Sequence, residues 1–330
     1  MIDPRTMDPV PLEIGRAFSV AGQRVLVTGA AGWLGYKIVE VYLTNGARVV
    51  MSDRQGPELE EAAARLKAKG ELHVVPADLT DTAALKTLAT SAVEKLGGLD
   101  VLVNNGGIAY SGPLDRLADE EFDRIYQTNV RSVWLLTRHC LEALKASGGC
   151  VINMASVNGH RPCFAGSLYT SSKAAVLNMT RELAVELAPA RVRVNSISPG
   201  PINNVHGRLG RLRELVRSEH LDPILVRLQD LLSVYGSTFQ PWPEAGRPVD
   251  VAMGCVYLSS PAGRFLTGAD LLIDGGHLHG FPRPHTGEPD FWSALHEALA
   301  ALPMEAWVGE RPSWVGEGRT KFPMEGGSKR

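Results

Sequence analysis

Tyr169 and Lys173 stand four residues apart in Tyr169-Thr170-Ser171-Ser172-Lys173, at the start of a stretch with helical apolar spacing. Positions i and i+4 share one face of a helix, so phenol and ammonium point into the same space. A fixed cation beside a phenol favours the phenolate. Lowering a tyrosine pKa from about 10 to the 7–8 useful for acid/base work takes roughly 3 to 4 kcal/mol, which a lysine and a cofactor charge can supply together. Ser156, at the end of an apolar β-rich run, can donate a hydrogen bond to a substrate oxygen that gains negative charge. The three side chains describe proton transfer at an oxygen. Alone, a Tyr-x-x-x-Lys pair also fits an ordinary helix surface, so the surroundings must decide.

A second group of residues suits a dinucleotide. Thr28-Gly29-Ala30-Ala31-Gly32-Trp33-Leu34-Gly35 ends one apolar run and enters a helical pattern. Glycines there let the backbone turn tightly and approach a pyrophosphate, and the helix start offers unpaired N–H groups with a partial positive charge. The plainer alternative is a strand-to-helix turn that binds nothing. Asp53 follows Val49-Val50-Met51-Ser52, where a carboxylate accepts from adenosine ribose hydroxyls. It also repels a 2′-phosphate, by at most roughly 4 kcal/mol at about 4 Å and an effective dielectric of 20. NAD is therefore expected over NADP, although the neighbouring Arg54 can turn a guanidinium towards a phosphate, and a loop cap is the bland alternative for Asp53.

The elements needed to position these groups are legible as alternation. Between Gln23 and about Ile197, short β-rich runs (24–28, 48–52, 72–76, 101–104, 150–155 and 192–196) alternate with segments of helical period. A helix at about 249–258 precedes a last strand at 271–274. The longest helix is expected from Asp119 to Lys145. This predicts an α/β fold: a Rossmann-like, doubly wound, seven-stranded parallel sheet in a single domain with N- and C-terminal arms. The expected boundaries are an arm over 1–21, the core domain over 22–276 with a substrate-lid insertion at 201–246, and an extension over 277–330.

The chain from about Gly22 to Gly276 resembles the single-domain branch of the short-chain dehydrogenase/reductase family. The motifs that carry this are the glycine turn, Asp78-Leu79, Asn104-Asn105-Gly106-Gly107, Asn129, Ser156, Tyr169-x-x-x-Lys173, Pro199-Gly200, and Gly268-Ala269-Asp270 with Asp274-Gly275-Gly276. Their joint order is far more specific than any one of them. The resemblance implies that Asn129, Ser156, Tyr169 and Lys173 are catalytic, with Asn129 holding a water in a proton relay. It also implies a cofactor site of Gly29, Gly32, Trp33, Leu34, Gly35, Asp53, Arg54, Asp78, Leu79, Asn105, Gly106, Gly107, Tyr169, Lys173, Pro199, Gly200, Ile202 and Asn204. A homodimer or homotetramer is the family's usual assembly.

Three positions depart from that branch. Gly32 and Trp33 give Thr-Gly-x-x-Gly-x-x-Gly, the spacing of the extended, epimerase-like branch. A second glycine stands in Gly106-Gly107 where alanine is usual before the last glycine, leaving slightly more room. Asn204 stands where threonine often follows Pro-Gly, and its amide can still bond a carboxamide. The first departure keeps open an epimerase or dehydratase with tightly bound NAD. A non-catalytic dinucleotide sensor on the same fold is the other alternative, against which all three of Ser156, Tyr169 and Lys173 are retained.

The expected reaction is therefore interconversion of a secondary alcohol and a ketone with NAD. Ser156, Asn158, Arg161 and His206, with His160, would wall the substrate, and Arg208, Arg211 and Arg213 add positive charge suited to a carboxylate or phosphate. This favours a sugar, polyol or sugar acid, against the alternative that the arginines form a solvated helix face. Other features exclude more than they assert. A formal net charge of −2 with 21% charged residues gives no basis for nucleic-acid or anionic-membrane binding. Cys140, Cys150, Cys163 and Cys255 form no C-x-x-C pair, which fits a reducing cytoplasm, and neither a signal peptide nor a membrane helix is expected. His277, His279 and His285 cluster without a completing ligand, so no metal is expected. Trp292, Trp307 and Trp314 are expected to pack at a subunit interface.

Overall fold

The computed structural model describes residues 13–109, 114–163, 166–202, 216–224, 226, 240–280 and 297–311. Seven parallel strands form one sheet in the order β3-β2-β1-β4-β5-β6-β7. They are β1 (Arg24–Thr28), β2 (Arg48–Ser52), β3 (Leu72–Val74), β4 (Val101–Asn104), β5 (Cys150–Met154), β6 (Arg193–Pro199) and β7 (Asp270–Ile273). The central strands are runs of Val, Leu and Ile because helices cover both faces and leave no wet side to alternate towards.

Helices α2 (Trp33–Thr44) and α8 (Pro248–Ser259) pack together. On the other face lie α4 (Thr82–Leu96), α6 (Ser132–Ser147) and α7 (Ser167–Leu187). Their Leu88, Leu96, Leu136, Leu144 and Leu187 join Leu26, Leu102, Val151 and Val194 of the strands in one buried cluster. Two short helices, α1 (Ile14–Ala17) and α3 (Pro57–Leu66), lie outside this layer. Local signals set the ends: the Asp81 carboxylate caps α4 by accepting from the N–H groups of Ala83 and Ala84, and Gly97 closes it in the left-handed region.

The strand order reverses its direction of growth between β1 and β4, which opens a crevice at the carboxyl ends of the strands. Register brings Val103 beside Val27 and Asn153 beside Asn104. The turns after β1, β4 and β5 therefore meet at one place. A buried polar chain stiffens the sheet beneath it: Asn104 Nδ2 donates to Asn153 Oδ1 at 2.9 Å, and Asn153 Nδ2 to Thr180 Oγ1 at 3.0 Å. Such groups tolerate burial because each finds a partner.

The expected 119–145 helix is interrupted. It comprises α5 (Asp119–Tyr126), a π-helical turn over Gln127–Arg131, and α6. Single π turns inside helices concentrate at functional positions, and this one carries Asn129.

The chain divides into two compact units, the first made of the sheet and its helices. The second gathers the described residues of 200–247 and 274–330. In it Ile202 bridges Gly246 and Val216 bridges Trp307. Trp307 is buried at 3% exposure, so it fills the chain's own interior and is not held for a subunit interface; Trp292 and Trp314 lie outside the described residues. So do Arg208, Arg211, Arg213 and His285. Among the described residues no group of three or more His, Cys, Asp or Glu could hold a metal ion, and no helix is long and apolar enough to cross a membrane.

Candidate active site

The glycine turn after β1 is stitched to the turn after β4. Asn105 Nδ2 donates to the carbonyls of Thr28 and Gly29 at 2.9 and 3.1 Å, and Thr28 Oγ1 accepts from the N–H groups of Asn105 and Gly106. Gly29 takes a positive φ of 61°, and a Cβ on Gly35 would stand 2.1 Å from the Gly29 carbonyl oxygen. Both positions require glycine. Gly32 is the N-cap of α2 and offers no side-chain cap, and no acid lies in the first turn. The helix start at Trp33, Leu34 and Gly35 thus has no side-chain cap, an arrangement that would suit a pyrophosphate.

Asp53 lies beside this turn. Its Oδ2 accepts from Ala31 N–H at 3.0 Å and its Oδ1 from Arg54 N–H at 2.8 Å. Asp78 accepts from the Thr80 N–H and hydroxyl, each at 2.8 Å. These bonds, with the charges of Arg54 and Arg124 nearby, hold its carboxyl below the usual range. Leu79 resolves the glycine departure at 106: a Cβ there would meet Leu79 Cδ1 at 2.4 Å, so the leucine occupies the room the missing methyl leaves. Gly107 faces Lys173 instead, with its added Cβ 3.4 Å from Nζ and 3.2 Å from Asn129 Oδ1.

The residues expected to carry proton transfer come from the turn after β5, from α7 and from the π-helical turn. Ser156 follows β5 and begins a 3-10 turn, Val157–Gly159; its Oγ accepts from Asn158 N–H at 3.2 Å, which leaves the hydroxyl proton to point elsewhere. Tyr169 and Lys173 lie in the first turns of α7, with Lys173 Nζ 5.8 Å from the Tyr169 ring centre. Lys173 is buried at 5% exposure and donates to the Met154 carbonyl at 2.7 Å. Burial lowers its pKa to about 8. Burial also raises the Tyr169 phenol; the nearby Ser156 hydroxyl opposes the rise and the Cys163 thiol adds to it. The chain's own groups thus hold the phenol above its ordinary value.

Asn129 sits nearby with three side-chain hydrogen bonds. Nδ2 donates to the Ile108 carbonyl at 2.9 Å and to Ser172 Oγ at 3.0 Å, and Oδ1 accepts from Ile108 N–H at 2.8 Å. It ties the loop after β4 to α7. Of the remaining expected positions, Pro199 ends β6, while Gly200 and Ile202 belong to the second unit. Asn204 and His206 lie outside the described residues. Asn158 and Arg161 lie on the segment after Ser156. Sequence reasoning passed over Met154, Ser172, Thr28 and Cys163. Three of these, Met154, Ser172 and Thr28, act through a backbone carbonyl or a short hydroxyl, which carry no signature of their own.

The short chain dehydrogenase family profile matches residues 23–208. The chain belongs to the short-chain dehydrogenase/reductase family, and is an oxidoreductase acting on CH–OH groups with a nicotinamide dinucleotide, NAD or NADP. It is 32% identical over 255 residues to a cyclopentanol dehydrogenase of Comamonas sp. (strain NCIMB 9872), covering 77% of this chain and 96% of that protein. It is likewise 32% identical over 264 residues to a galactitol 2-dehydrogenase (L-tagatose-forming) of Cereibacter sphaeroides, covering 79% and 96%. Among solved structures it is similar to L-sorbose reductase of Gluconobacter frateurii complexed with NADPH and L-sorbose, with a TM-score of 0.72 and 26% identity over 80% of this chain and all of that one.

Proposed function

We propose that the protein interconverts a secondary alcohol and a ketone with NAD, on a polar substrate such as a sugar, polyol or sugar acid. The observation that carries this is the convergence of Ser156, Tyr169 and Lys173, with Lys173 buried and anchored on the Met154 carbonyl. The relatives named for galactitol and L-sorbose support the polar substrate class.

Gly29, Gly32, Trp33, Leu34 and Gly35 would hold the pyrophosphate, Asp53 the adenosine ribose, Asp78 and Leu79 the adenine side, and Asn105 to Gly107 the middle of the cofactor. When bound, an oxidised nicotinamide would supply the hydride acceptor and a positive charge. Tyr169 takes the substrate hydroxyl proton in oxidation and returns it in reduction. Lys173 fixes the field around the phenol and would bond the nicotinamide ribose. Ser156 would donate to the substrate oxygen while its oxygen accepts from Asn158 N–H. Asn129 holds the loop after β4 in place, and would hold a water in a proton relay.

Asp53 supports NAD over NADP because its carboxylate is pinned beside the turn, while Arg54 lies within reach of the Asp78 charge. We place the working assembly as a homodimer or homotetramer in the cytoplasm; Phe122 of α5 and Trp134 of α6, both exposed, suit self-association. Tyr169→Phe tests the chemistry. It should lower kcat with cyclopentanol or galactitol by roughly 10²- to 10⁴-fold while leaving NADH affinity intact. Unchanged turnover removes Tyr169 from the mechanism.

A further inference from the structure

His160, expected in the substrate wall, instead turns its Nε2 to a cluster of polar side chains in the first unit. His160 follows the 3-10 turn that begins at Ser156, and its Nε2 lies 2.7 Å from Asp270 Oδ2 and 3.3 Å from Ser198 Oγ. Asp270 opens β7 with its side chain only 11% exposed, and its Oδ1 accepts from Ser196 Oγ at 2.6 Å and Ser198 Oγ at 3.0 Å. The composition suggests a hydrolytic Ser-His-Asp set, and the geometry excludes one. Serine and aspartate meet the same ring nitrogen, whereas a relay needs them on opposite nitrogens. Ser198 is also fully buried.

What the contact does is mechanical. A ring nitrogen facing a carboxylate carries the proton, so Nε2–H donates to Asp270 and fixes the ring. Besides the backbone bonds of its 3-10 turn, the segment between Ser156 and His160 is held by three further contacts. Ser156 Oγ accepts from Asn158 N–H. Gly159 lies against α7 so closely that a Cβ would stand 2.9 Å from the Lys173 carbonyl carbon and 3.0 Å from its oxygen. His160 ties the far end to β7. Two of the three fasteners lead to Lys173 and to the sheet edge, the frame against which the Ser156 hydroxyl must be placed.

We propose that His160 and Asp270 are a positioning pair that sets the Ser156 hydroxyl against Tyr169 and Lys173. This rests on the proposed dehydrogenase reading. Catalytic groups need placement within roughly 0.5 Å, and an error of about 1 Å costs up to about a hundredfold in rate. The pair touches neither Tyr169 nor the glycine turn, so its loss should spare cofactor binding.

The test compares His160→Gln, which keeps a donor, with His160→Leu, which keeps bulk without one, in the full-length protein. With cyclopentanol as probe, H160L should lose roughly tenfold to a hundredfold in kcat with the KM for NAD within about twofold of wild type. H160Q should stay within about threefold. Amide hydrogen exchange of 156–161, read by mass spectrometry, should quicken by about tenfold in H160L and not in H160Q. The proposal is overturned if H160L matches wild type in kcat and exchange, or if both variants are equally impaired. Should wild type oxidise no alcohol at all, the dehydrogenase reading fails instead, and exchange alone decides whether the pair pins the segment.

Discussion

Replacing Asp53 by asparagine removes one negative charge from beside the glycine turn and keeps the side chain's size and one acceptor oxygen. In the folded chain that carboxylate is tied at both oxygens, to Ala31 N–H and Arg54 N–H, so it cannot swing away from an approaching phosphate. Two unit charges about 4 Å apart repel by roughly 4 kcal/mol at an effective dielectric of 20 and roughly 1 kcal/mol at that of water. Asp53 is partly exposed. An intermediate value of about 2 kcal/mol corresponds to a factor of about 30 in preference. D53N should therefore raise the ratio of kcat/KM for NADP over NAD by about 30-fold. The assay is the initial rate of reduced nicotinamide formation with each cofactor at one fixed alcohol concentration. The shift should shrink at high salt, because ions screen a partly exposed charge. A change below about threefold at low salt refutes the electrostatic argument for NAD.

Two further predictions follow from the same site. Burial lowers the Lys173 pKa to about 8, so between about pH 8 and 10 the native state has released a proton that the unfolded chain still binds. The cofactor-free protein should gain stability towards urea over that window. Below pH 8 both states are protonated and the full cost of the buried charge remains; above pH 10 the raised Tyr169 phenol works in the opposite direction. Lys173→Met should lack the rise, and equal slopes in the two proteins contradict it. Gly106→Ala forces Leu79 out of the space it fills and should cost about 1 to 3 kcal/mol as overpacking. Adding Leu79→Ala should recover a good part of that, so additive melting shifts in a double-mutant cycle would argue against the contact.

The sheet was legible because strands buried on both faces are written as uninterrupted apolar runs, and β1, β2 and β4 fall where those runs end. The helical interruption at 127–131 was not. A single π turn adds only about one residue to one turn, too small a shift to show among the apolar positions, so 119–145 reads as continuous. The identities of Ser156, Tyr169 and Lys173 were visible as residue types at a spacing. Their electrostatics were not, since the state of the phenol depends on how deeply α7 is buried, a property of packing. Contacts such as Lys173 to Met154 and His160 to Asp270 join residues distant in sequence and leave no local signature. The Leu79 side chain filling the gap at Gly106 is of the same kind: two motifs each readable alone, and a fit between them that only the folded chain displays.

The most direct test of the central claim is absorbance at the reduced-nicotinamide band while purified protein is offered NAD with a panel of polyols, sugars, sugar acids, hydroxy acids and cyclic alcohols, and NADP in parallel. Net NADH formation with one class, faster than NADPH formation and lost in Tyr169→Phe, is the predicted result. Silence across the panel, with NAD co-purifying and never turned over, would contradict it.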